Sequence, residues 1–104
     1  MLLSKSKFSV GDIASFKLGN GDELIAKITN ITDDAYILSR PCLVIPNQQG
    51  IGLMQAMFSV DPDGKIEVNR AHIMMQGETV EQLQNHYIKT TTGIEPITRG
   101  GIIV

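Results

Sequence analysis

The segment Asn69-Arg70-Ala71-His72 places an amide, a guanidinium and an imidazole within four residues. A guanidinium pairs with phosphate or carboxylate, and an amide matches one donor and one acceptor on a ligand edge. Tyr36 adds an aromatic ring with two open readings: stacking on a planar base, or a core position with its hydroxyl hydrogen-bonded. One arginine per chain is a weak anion site, and several copies arranged around one opening multiply it. Lys27 and Arg40 are further cations that could assist.

The remaining reactive side chains read as structural. Asp61-Pro62-Asp63-Gly64-Lys65-Ile66 has the spaced aspartates and glycine of a calcium loop. Arg70, however, stands where the closing glutamate belongs and Ser59 where the first ligand belongs. The segment reads instead as a turn, with proline presetting φ at its second position. His72 and His86 lack partners at ligand spacing, so neither a metal nor any other cofactor is expected. Cys42 lies in an apolar run without a neighbouring base and reads as a buried, inert thiol. Asp33-Asp34 reads as a solvated turn, because adjacent residues point apart and cannot work as an acid/base pair. No nucleophile elbow or phosphate-cradling loop occurs, so the expectation is a protein that is not an enzyme.

Composition narrows the partners. At 104 residues, 42% hydrophobic and 19% charged, the chain fits one globular domain. Its net charge of −2 and pI near 5.5 provide no broad basic field, so any polyanion must be held by local groups. Apolar runs reach four residues at most, far short of the ~20 that cross a bilayer. Leu2-Leu3 is followed at once by Ser4-Lys5-Ser6-Lys7, which does not read as a signal peptide, and the single cysteine fits a reducing cytoplasm.

These groups must be positioned by strands. Residues 13–18 alternate, with Ala14, Phe16 and Leu18 on one face, and residues 23–31 do the same with Leu24, Ala26 and Ile28. Gly19-Asn20-Gly21-Asp22 between them supplies a tight hairpin turn. Residues 35–40 and 42–45 are extended, with Pro41 bending the strand or sitting at its edge. After the loop at 46–50, residues 51–60 form a strand apolar on both faces, and residues 65–68 return as the second arm of a hairpin with it. Residues 72–76 are the last short strand. Thr79 and Gln82 form a capping box opening a helix to about residue 90, with Val80, Leu83, Tyr87 and Ile88 on one face. A tail over 94–104 ends in Ile102-Ile103-Val104.

Gly11, Leu18, Asn20 and Gly21 match the first motif of the Sm/LSm proteins, and the chain resembles that family over residues 10–76. The resemblance implies a mainly β fold, a five-stranded, strongly bent antiparallel barrel, here carrying a C-terminal helix. Residues 31–37 fall where the family has its nucleobase-binding turn, with Thr32 in place of the usual aspartate and Tyr36 in place of the usual asparagine. Val68-Asn69-Arg70-Ala71-His72-Ile73 echoes the second motif. The similarity is to divergent members, of the kind phages encode. It implies a homo-oligomeric ring, closed by pairing the penultimate strand of one subunit with the last strand of the next. It also implies that the ring binds single-stranded RNA or DNA near its central pore, through Tyr36, Asn69, Arg70 and His72. The rival expectation is a structural or protein-interaction unit, for instance of a phage particle.

Overall fold

The structure, a computed structural model, describes residues 8–61 and 63–92. Six strands form one antiparallel sheet: β1 (Ile13–Leu18), β2 (Glu23–Ile31), β3 (Ala35–Asn47), β4 (Gly50–Gln55), β5 (Lys65–Asn69) and β6 (Ile73–Glu78). A short 3-10 turn, Arg70–His72, joins β5 to β6, and one helix, α1 (Glu81–Thr92), follows. The strand count is therefore six rather than five. The strand order is β4-β3-β2-β1-β6 with β5 on β3, so the sheet is not closed into a barrel. The expected tail over 94–104 lies outside the described residues.

The alternation read along the first two strands is what the fold uses. Ala14, Phe16, Leu24, Ala26 and Ile28 pack with Phe8, Tyr36 and Leu38 on one face. Ile25, Cys42 and Tyr87, with Ile13, Val44, Leu53 and Leu83, form a smaller cluster on the other, beneath α1. Two-sided burial of the central strands follows from the helix docking across them.

β3 is the long spine of the sheet. One edge pairs with β2; the other is shared, with residues 35–39 on β5 and residues 42–47 on β4. The division falls at Arg40-Pro41. Ile25 pairs with Cys42 and Lys27 with Ser39, so β3 carries one extra residue there, a bulge. Arg40 takes φ +50 to make it. Proline thus bends the strand without ending it, since the bulge removes the need for its missing N–H.

Three sequence expectations are corrected. The strand expected over 51–60 stops at Gln55, and residues 65–69 pair with β3 instead of closing a hairpin on it. β3 leaves its edge at 35–39 free of β4, and β5 pairs there residue for residue, Ala35 with Asn69 through Ser39 with Lys65. The last strand runs from Ile73 to Glu78, because His72 belongs to the 3-10 turn. Finally, α1 starts two residues after Thr79: the Val80 carbonyl accepts the Gln84 N–H at 2.9 Å, and the Thr79 hydroxyl bonds Ser15 Oγ at 2.8 Å. A tertiary partner has taken the hydroxyl from its capping role. Only Leu83 and Tyr87 of the expected stripe reach the core; Val80 is 62% exposed.

Candidate nucleic-acid interface

Two turns meet at one end of the sheet. The β2–β3 turn is built on Thr32, whose hydroxyl accepts the Ala35 N–H at 3.0 Å and the Asp34 N–H at 3.3 Å. Such side-chain-to-backbone bonds fix a turn without glycine. The β5–β6 turn is built on Asn69, whose Oδ1 accepts the Ala71 N–H at 2.8 Å. Arg70 ties the two together. Its backbone N–H donates to the Asp34 carbonyl at 2.7 Å, and Nη1 donates to the Thr32 carbonyl at 3.2 Å. Pairing of Ala35 with Asn69 and of Tyr36 with Val68 sets this approach in register.

Tyr36 is 0% exposed. Its ring packs against Phe16 at 5.2 Å between centroids and against Phe8 at 6.4 Å. The Arg70 guanidinium carbon lies 5.1 Å from the same ring centroid. The Tyr36 hydroxyl donates to Gln76 Oε1 on β6 at 3.2 Å. Of its two readings, the core position with a hydrogen-bonded hydroxyl describes where Tyr36 lies. Its contribution at this end is to support Arg70 by a cation–π contact.

Asn69 and His72 are exposed, and Arg70 is half-buried. The His72 carbonyl accepts the Gly19 N–H at 2.8 Å, which brings the β1–β2 turn to the same end. There, Asn20 Oδ1 accepts the Asp22 N–H at 2.9 Å. A groove of about 490 Å³ opens beside them, between the β1–β2 turn and β5, lined by Asn69 and His72 but not by Arg70 or the β2–β3 turn. Leu18, Leu24, Leu43, Ile66 and Val68 contribute apolar walls, and Asn20, Asp22, Glu67, Asn69 and His72 contribute polar ones. Sequence reasoning did not find the groove or Gln76. Both depend on strand pairs distant in sequence, and a polar residue on an alternating strand carries no signal of its partner.

Polar side chains gather at this end of the sheet. A guanidinium has five N–H donors, and one goes to the Thr32 carbonyl. The exposed Asn69 and His72 side chains flank it. Carboxylates at the same end, Asp22, Asp33, Asp34 and Glu67, are exposed and work against phosphate. Arg40 forms an ion pair with Asp63 at the bulge, and Lys27 lies at that bulge too, opposite Ser39, so neither belongs to the paired turns.

Burial pushes the Cys42 thiol from 9.0 up to about 11, far from the thiolate form. Among the described residues no cluster of three or more His, Cys, Asp or Glu side chains could hold a metal ion, and no helix is long and apolar enough to cross a membrane. Comparison with protein-family models and with curated proteins finds no match to this chain.

Proposed function

We propose that the protein is a non-catalytic, Sm-like ring subunit of the cytoplasm, that of the host if a phage encodes it. Copies join β5 of one to β6 of the next, and the paired turns hold single-stranded RNA or DNA at the central opening. The observation that carries this reading is the Arg70 bridge between residues 32–34 and 69–72, the two turns that the resemblance assigns to the pore. The strand order supports assembly. β5 pairs only with β3 and β6 only with β1 among the described strands, leaving one edge of each for a neighbour. Met74 and Met75 on β6 are 69% and 65% exposed, which is the unguarded kind of edge that associates.

Affinity in this reading comes from repetition. Each copy contributes Arg70, Asn69 and His72, and a ring adds them through effective concentration. Fluorescence anisotropy with short labelled RNA and DNA at low and moderate salt tests it directly. Binding should appear at low salt, weaken as salt rises, and fall in Arg70→Ala and in Asn69→Ala/His72→Ala. No binding at low salt sinks the nucleic-acid reading. Light scattering at micromolar concentration tests the ring: a multiple of the 11.4 kDa chain is expected, reduced by Met75→Lys.

The burial of Tyr36 and the four carboxylates around the paired turns favour a second reading. In it, the same fold is an assembly unit, for instance of a phage particle, and its edges do the work. A multimer that binds neither RNA nor DNA would select it.

A further inference from the structure

From Pro41 to Val60 the chain has no Asp, Glu, Lys or Arg, although 19% of all residues are charged. This stretch builds the outer part of β3, all of β4 and the connection beyond it. Register shows how its side chains divide. Leu43 pairs with Met54 and Ile45 with Gly52, so Leu43, Ile45 and Met54 share a face; Val44 pairs with Leu53 and Pro46 with Ile51 on the other. Val44 and Leu53 pack beneath α1. On the opposite face Leu43 lines the groove, and Ile45 and Met54 continue outward from it, exposed. The result is one apolar strip from the groove out along the β3–β4 arm, with no cover among the described residues.

The geometry points to a second copy of this chain as the cover, docked by a twofold contact in which each arm lies against the other's groove. Several features select that occupant. The arm tip, Asn47-Gln48-Gln49, carries amides and no charge, and the groove rim carries Asp22, Glu67 and His72. Amide N–H groups donate to carboxylates, so the tip of one copy complements the rim of the other. Strip and groove lie on the same face of one molecule, which is what a self-complementary contact requires. The arm strip itself is a poor surface for nucleic acid, because it offers no cation and the neighbouring Asp22 and Glu67 repel phosphate. A lipid surface is poorer still, since the polar tip would enter it first.

This contact uses the arm and the groove and not the outer strand edges, so it does not depend on the ring, and it competes with nucleic acid for Asn69 and His72, which line that groove. Combined with a closed ring, it places two rings face to face and doubles the copy number; without a ring, it makes a dimer. Light scattering on the full chain and on Ile45→Lys/Met54→Lys reads the contact. The variant mass should be half that of the parent, with unchanged circular dichroism. A second measurement stands if that variant misfolds. Gln48→Cys and Glu67→Cys, each with Cys42→Ser, are placed on differently tagged copies and treated with a short bismaleimide, and a cross-tag product is expected. An unchanged mass, or no cross-tag product, overturns the proposal. Met75→Lys reports on the β5–β6 contact separately, so failure of the ring and failure of the arm contact give different results.

Discussion

The guanidinium of Arg70 rests over the ring of Tyr36, 5.1 Å from its centroid, while its Nη1 donates to the Thr32 carbonyl at 3.2 Å. One side chain thus couples the aromatic core to the junction of two turns. The core holds the cation in place, and the cation holds the turns together.

Removing that side chain should therefore cost stability as well as binding. A cation–π contact contributes about 0.5–2 kcal/mol and a net hydrogen bond about 1 kcal/mol. Arg70→Ala should lower unfolding free energy by roughly 1–2 kcal/mol in urea titration. Arg70→Lys should restore only part, because an ammonium lacks the planar fork that meets ring and carbonyl at once. Equal stability of Arg70→Ala and the parent would show that the contact contributes nothing.

Tyr87 makes the corresponding link on the helix side. Its hydroxyl accepts the Lys27 N–H at 3.1 Å and donates towards the carbonyls of Ser39 at 2.8 Å and Arg40 at 3.1 Å. These backbone groups lie at the β3 bulge. Tyr87→Phe keeps the ring and removes the hydroxyl bonds to these groups, at a cost of about 1–3 kcal/mol. Hydrogen exchange should show the Lys27 amide among the most accelerated; an unaltered Lys27 rate would contradict the link.

Arg40 at φ +50 lies in the left-handed region, which a side chain occupies at a cost of about 1–2 kcal/mol. Its ion pair with Asp63 is largely exposed, 35% and 77% for the two side chains, and returns little. Arg40→Gly should raise the thermal midpoint, because glycine adopts this φ freely. Arg40→Ala should not, since it loses the ion pair and keeps the strain. Identical midpoints for both variants would place the strain elsewhere.

Alkaline pH should destabilise the fold in two steps. Burial raises the Cys42 thiol from 9.0 to about 11. Burial also raises the Tyr87 phenol from 10.0 to about 12, with the Lys27 N–H and the Arg40 charge opposing and the nearby Cys42 adding. Below pH 9.0 both groups are neutral in folded and unfolded chains, and stability is full. Above it the unfolded chain ionises first, so stability falls between pH 9.0 and about 11 for Cys42, and between 10.0 and about 12 for Tyr87. Urea midpoints against pH should show this decline, and Cys42→Ala should delay its onset to about pH 10. An onset unmoved by that variant would remove Cys42 from the account.

The sequence by itself determined the strands of the first hairpin and which of their side chains turn inward. A period of two and a Gly-Asn-Gly turn are local properties, so Ala14, Phe16, Leu24, Ala26 and Ile28 could be assigned to one buried face before any pairing was known. The existence of the C-terminal helix was legible for the same reason. Its start was not, because the Thr79 hydroxyl chose Ser15, 64 residues away, over the helix it precedes. Tertiary structure also decided where residues 65–69 pair, since β3 offers two partners along one edge and only assembly of the sheet chooses between them. The candidate site divides along the same line. Asn69, Arg70 and His72 were visible as a cluster because they are neighbours in sequence, whereas Tyr36 had two equally local readings. Its place in the core follows from contacts with Phe8, Phe16 and Gln76, and these come together only when β1, β2, β3 and β6 share one sheet.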